Sequence, residues 1–178
     1  MERRIALLRA INLGARNRVA MPELREHLTE AGYGDVRTYV QSGNVVLDSD
    51  EAPAKLAAAL RRLIQERFEL EVPVIVRTRD ELAEVVKANP LRGVATDPKR
   101  YQVTFLDREL PRELLAALAG LTTGEERFQA IGREIYGWHP DGVRRSRLWA
   151  RLATGNAGVT ATARNWNTVE QLLAMADA

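Results

Sequence analysis

Short apolar runs alternate with amphipathic stretches along this chain, in an order that repeats. Ile5 to Ile11 is apolar at nearly every position, broken only at Arg9, and too short for a strand with one wet face. It therefore predicts a central strand covered on both sides. Pro22 suits a first helical turn, Leu24, Leu28 and Ala31 fall at helical spacing, and Gly32 and Gly34 end the helix. Asp35 to Val40 and Val45 to Asp48 are strand-like runs around Gln41-Ser42-Gly43-Asn44, a turn-forming cluster, and predict a β-hairpin. Pro53 opens a second helix with an apolar stripe of Leu56, Leu60, Leu63, Ile64 and Phe68, and Pro73 to Arg77 is another covered strand.

A short helix follows, with Asp80 as its expected cap and Asn89-Pro90 as its end, and Leu91 to Lys99 reads as a linker. The order then restarts. Strand Tyr101 to Leu106, helix Pro111 to Leu118, strands Arg127 to Ile131 and Glu134 to Trp138, helix Val143 to Leu152 and strand Val159 to Arg164 precede a last helix capped at Asn167 or Thr168. The βαββαβ order thus occurs twice, which predicts an α+β protein of two tandem ferredoxin-like units, each followed by an extra helix. The expected division is 1–79, a helix and linker over 80–99, 100–166, and a C-terminal helix over 167–178. Val45-Val46-Leu47 and Val74-Ile75-Val76 lack polar alternation, so the second face of the first sheet is expected to be covered, by packing of the two units together.

Composition removes several chemistries. The 178 residues contain no cysteine, which excludes disulfides, thiolate metal sites and a Cys nucleophile. His27 and His139 are the only histidines, too few for a zinc site, and no metal or cofactor is expected. No stretch has the length and apolar character of a membrane span, and the cytoplasm is the expected compartment, with no membrane partner. Net charge is only +2, but it is uneven: Arg3, Arg4, Arg9, Arg16 and Arg18 face only Glu2 in the first twenty residues. Arg144, Arg145, Arg147, Arg151 and Arg164 similarly face only Asp141.

Three stretches resemble the signatures of a bacterial group, domain-of-unknown-function family 1697: ALLRAINLGARNRVAMPELR, DVRTYVQSGNVVLDS and GVTATARNWNTVEQLL. DPKRYQVTFLD and PDGVRRSRL extend the resemblance over essentially the whole chain. It implies a duplicated ferredoxin-like fold and carries no catalytic residues. Ala10 stands where such proteins usually have Gly, Ala15-Arg16 replaces a common Gly-Lys, and Arg147 replaces a Lys.

The topology gathers polar groups at one end of the first unit. In a ferredoxin-like unit the loop after the first strand and the turn before the third lie at one end. That brings Arg9, Asn12, Gly14, Arg16 and Asn17 toward Gln41, Ser42 and Asn44. A strand, a Gly-containing loop and a helix start are a geometry that binds anions through N–H groups and the helix dipole. The candidate ligand-binding set comprises these residues with Arg164 and Asn165, which also end a strand before a helix and echo Arg9 and Asn12. The alternative is that Asn12 and Gly14 shape the turn, Arg9 answers loop carbonyls or a carboxylate, and Asn167 with Glu170 forms a capping box beside a core Trp166.

The expected partner is an anionic small molecule or a nucleic acid. Two other readings are an enzyme that uses Arg and Asn for electrostatic stabilisation, and a structural or oligomeric module without ligand. Ser42 lies outside any G-x-S-x-G frame, and His139 is expected at a surface strand end. Asp48, Asp50 and Glu51 read as a solvated turn. RNA binding of the RRM type needs exposed aromatics on central strands, which the first unit lacks.

Overall fold

The computed structural model describes residues 1–153 and 158–178. The chain divides into two compact units, one of residues 1–83 with 172–178 and the other of residues 84–171. In the first, β1 (Glu2–Leu8), β2 (Gly34–Tyr39), β3 (Asn44–Ser49) and β4 (Val74–Thr78) form an antiparallel sheet in the order β2-β3-β1-β4. α1 (Met21–Glu30) and α2 (Pro53–Phe68) cover one face of it. The side chains that meet there follow the period-two pleat: Ala6 and Leu8 of β1, Val45 and Leu47 of β3, and Val74 and Val76 of β4. Leu24 and Leu28 of α1 and Leu56, Leu60 and Ile64 of α2 pack on them. On the opposite face Ile5, Leu7 and Val46 are also fully buried, as their lack of polar alternation predicts.

The second unit repeats the topology. β5 (Tyr101–Leu106), β6 (Arg127–Ile131), β7 (Glu134–Trp138) and β8 (Ala161–Asn165) are ordered β6-β7-β5-β8, with α4 (Arg112–Ala119) and α5 (Arg147–Ala153) against one face. α3 (Arg79–Ala88) follows β4, and α6 (Trp166–Asp177) follows β8. The match extends to individual residues. Arg77 pairs with Ile5 across β4 and β1, and Arg164 pairs with Val103 across β8 and β5. Beyond the ends of the central strands, Arg9 N–H donates to Pro73 O at 2.9 Å and Asp107 N–H donates to Thr160 O at 3.0 Å. The architecture is therefore a duplicated ferredoxin-like unit, as the sequence predicts.

Helix starts are where the expectations need correction. α3 is capped by Thr78 rather than Asp80: Glu81 N–H donates to Thr78 Oγ1 (3.1 Å) while Thr78 N–H donates to Glu81 Oε2 (2.8 Å), a reciprocal capping box. α6 begins at Trp166, so its cap is Asn165, whose Oδ1 accepts from Thr168 N–H at 3.0 Å. Asn167 and Thr168 lie inside the first turn. The expected helix from Val143 to Leu152 is a 3-10 turn (Val143–Arg145) followed by α5, because Ser146 takes an extended conformation and bonds Trp149 N–H through Oγ (2.9 Å).

Candidate functional site

Between β1 and α1 the chain makes a loop held by one side chain. Asn12 has φ +54°. Its backbone N–H donates to Asn17 O (2.9 Å), closing a tight turn over Leu13-Gly14-Ala15-Arg16. Its side-chain amide then pairs with the backbone of Val19 in both directions, Nδ2 donating to Val19 O (2.9 Å) and Oδ1 accepting from Val19 N–H (2.9 Å). Nδ2 also donates to Gln41 O at 2.8 Å, so the loop lies against the turn that precedes β3. Asn17 Nδ2 donates to Ala10 O (3.2 Å), and Asn44, fully buried, donates through Nδ2 to Tyr39 O (3.1 Å) and Ser42 Oγ (3.0 Å). The asparagines of the candidate set thus spend their amides inside the protein.

Gly43 makes the close approach of loop and turn feasible. It has φ +82° and its carbonyl accepts from Leu8 N–H at 2.8 Å. A Cβ there would stand 2.7 Å from Leu8 Cβ and 3.0 Å from Ile11 side-chain carbons. Ala10, Asn12, Asn17 and Val40 also occupy the left-handed region, at φ +54°, +54°, +49° and +51°. For a β-branched residue such as Val40 this is a strained conformation.

The residues facing outward here include Ala10, the run 13–18, Gln41 and Ser42. Gly14, Arg16 and Arg18 are exposed, Arg9 is half-buried at the end of β1, and Gly14 has open space around it at φ +63°. α1 starts without a side-chain cap: Ala20 is its N-cap, and Pro22 lacks an N–H to be satisfied. Glu23 is the one acidic residue in its first turn. The charged groups exposed on the loop are therefore all cationic, beside Leu13 and Asn17, and adjoin an uncapped helix start.

Arg164 and Asn165 belong to a different setting. Arg164 is buried, donates to Thr162 Oγ1 and Ala163 O (both 2.8 Å), and burial pushes its pKa down to about 10. By sheet register its counterpart in the first unit is Arg77, buried to 1% exposure and bonded to Val76 O (3.2 Å). The echo of Arg164-Asn165 is consequently Arg77-Thr78, an arginine followed by a helix cap at the end of the last strand, rather than Arg9 and Asn12. Comparing VIVRT with ATARN, each just before a helix, is the signal that finds Arg77 in the sequence.

Two other expectations change. His139 is 2% exposed instead of lying at the surface, because the carboxylate of Glu126, one step beyond the last register pair of β6 and β7, meets its Nδ1 at 2.8 Å. Aromatics do lie on the central strands of the second unit, but Tyr101, Tyr136 and Trp138 are buried there, with Tyr101 stacked on Trp166 at 4.8 Å. They offer no open stacking platform for bases. The acidic run is engaged: Asp48 pairs with Arg3 (3.1 Å) and Glu51 accepts from Tyr33 OH (3.2 Å). Arg3 and Arg37 hold the Asp35 carboxyl below its ordinary pKa. Among the described residues no three His, Cys, Asp or Glu side chains cluster to hold a metal ion, and no helix is long and apolar enough to cross a membrane.

A solved structure described as the conserved bacterial protein SP0830 from Streptococcus pneumoniae is similar over 98% of both chains, with a TM-score of 0.77 and 22% identity, a likeness of fold. No curated protein matches the sequence. The family model for proteins of unknown function DUF1697 matches residues 1–136, all of the first sheet and most of the second. The chain belongs to the DUF1697 family.

Proposed function

We propose that the protein binds a phosphate-bearing ligand, a nucleotide or a nucleic acid, at the loop between β1 and α1. Arg16 and Arg18 supply charge, Arg9 adds a third guanidinium at the loop's root, and the backbone around Gly14 and the start of α1 supplies N–H donors. Asn12, Asn17, Gln41, Ser42 and Asn44 serve this site as its frame and make no ligand contact in this reading. Arg164 and Asn165 act inside the second unit. The observation that carries the proposal is the uncapped start of α1, beside exposed arginines on a loop fixed by the three side-chain bonds of Asn12. A cytoplasmic setting belongs to the same reading, since nucleotides and nucleic acids are abundant there.

The test is a thermal-shift series with inorganic phosphate, nucleoside mono-, di- and triphosphates and short oligonucleotides. At least one should raise the Tm of the wild type, and the rise should vanish in Arg16→Gln/Arg18→Gln, whose own Tm without ligand stays unchanged. Equal shifts in both proteins would overturn the reading, as would the lack of a shift with any anion.

A further inference from the structure

The second unit carries a basic feature that this loop does not use. Arg144, Arg145 and Arg147 fall within four positions, a density found nowhere else in the chain. All three are exposed, and among the described residues none has an ion pair. Arg3 and Arg79, by contrast, are matched to Asp35 and Asp177.

The segment that presents them is firmly built. Gly142 N–H donates to His139 O (2.8 Å) and Ser146 N–H to Val143 O (3.1 Å), while Ser146 Oγ accepts from Trp149 N–H (2.9 Å). Trp149 packs edge-on against His139 (5.8 Å), which is held by Glu126. Ser146 and Leu148 are buried, so the arginines project from between anchored residues. Three like charges are thereby kept close together in high-dielectric surroundings, an arrangement that a polyanion relieves.

We propose that Arg144, Arg145 and Arg147 form a contact surface for the phosphate backbone of a nucleic-acid duplex. An acidic protein partner would call for an apolar centre as well as charge, and an anionic lipid surface is held by clusters of about four to eight basic residues rather than three. The exposed large apolar residues, Met1, Leu13, Val40, Val94 and Ile131, all lie outside this segment. Single strands are bound largely by stacking on exposed aromatics, whereas Trp149 is half-buried against His139. Guanidinium groups alone suffice for a backbone, where affinity comes from phosphate contacts that carry no sequence information. The proposal rests on the second unit's residues and stands independently of the loop after β1.

Fluorescence anisotropy with a random-sequence DNA duplex and the matching RNA duplex, between about 50 and 200 mM salt, tests it on the full chain. Wild type should bind at least one duplex, and the two arms tell which sugar backbone is accepted. Arg144→Gln/Arg145→Gln/Arg147→Gln should weaken low-salt binding at least about tenfold and flatten the slope of log K against log salt by about 2–3. The single variant Arg145→Gln should flatten it by about 1, and the lysine triple variant should keep most of the binding. Circular dichroism melts verify that the fold is retained. Absence of duplex binding by wild type would overturn the proposal, and so would an unchanged slope in the triple variant or loss confined to acidic peptides or anionic vesicles. Loss only in Arg16→Gln/Arg18→Gln would refute it while leaving the loop reading in place.

Discussion

Three of the four hydrogen bonds available to an asparagine amide are made by Asn12, two with the backbone of Val19 and one with Gln41 O. Removing that amide strands a backbone N–H and two carbonyls at once. Asn12→Ala should therefore cost about 2–3 kcal/mol of unfolding free energy, measurable as a lower urea midpoint with an unchanged m-value. Ala10 offers the opposite case. At φ +54° it pays for its Cβ, and a glycine there is what the family resemblance leads one to expect. Ala10→Gly should raise stability by about 0.5–1 kcal/mol, seen as a higher Tm. Sequence alone marks Asn12 as polar in a loop, yet the choice between ligand and staple depends on where Val19 and Gln41 lie. Arg77 was missed for a related reason: a strand-end arginine acquires meaning only when register sets it opposite Ile5, as Arg164 is set opposite Val103.

Most strands were legible to within a residue or two, since covered strands leave uninterrupted apolar runs such as Val74-Ile75-Val76, but β1, expected from Ile5 to Ile11, lies at Glu2–Leu8. Helix starts were less so. Asp80 and Asn167 look like caps by residue type, but the strands β4 and β8 run directly into α3 and α6, which moves each cap back to the last strand residue. Thr78→Ala should accordingly destabilise the protein by about 1 kcal/mol, while Asp80→Ala changes stability by only a few tenths. Paired chemical-denaturation curves decide between them, and equal losses would reinstate Asp80. The buried His139–Glu126 pair lay beyond sequence reading because its partners are joined only through the β6–β7 hairpin.

At the scale of the whole molecule, the repeated order βαββαβ was enough to find the duplication, although the two copies share little residue identity. Tyr101 and Tyr136 of the second unit are buried and Tyr33 of the first is half-buried. Burial pushes the hydroxyl pKa of Tyr33 and Tyr101 up to about 12, and that of Tyr136 higher still. The unfolded chain releases these protons near pH 10. Their stabilisation is thus complete below about pH 10 and is lost as pH rises through the folded values. Arg164, lowered to about 10, acts in the opposite sense over the same window, because the unfolded chain keeps a proton that the fold sheds. Three tyrosines against one arginine give a net fall in the urea midpoint above pH 10, and Tyr101→Phe should make that fall shallower.

The duplication also separates what is shared from what is specific. Arg77 and Arg164 occur in both units, whereas the position of Arg9 is taken in the second unit by Asp107, whose carboxylate bonds Thr160 N–H at 2.9 Å. A cationic loop after the first strand is therefore a property of the first unit alone. The most direct measurement is a backbone amide NMR titration of the 15N-labelled protein with the nucleotide that gives the largest thermal shift. Saturable shifts concentrated on Gly14 to Leu24 are expected, with Arg16 and Arg18 moving together and Asn12 side-chain signals nearly unchanged. Shifts scattered elsewhere, or a loss of the Asn12 amide bonds on binding, would contradict binding at this loop.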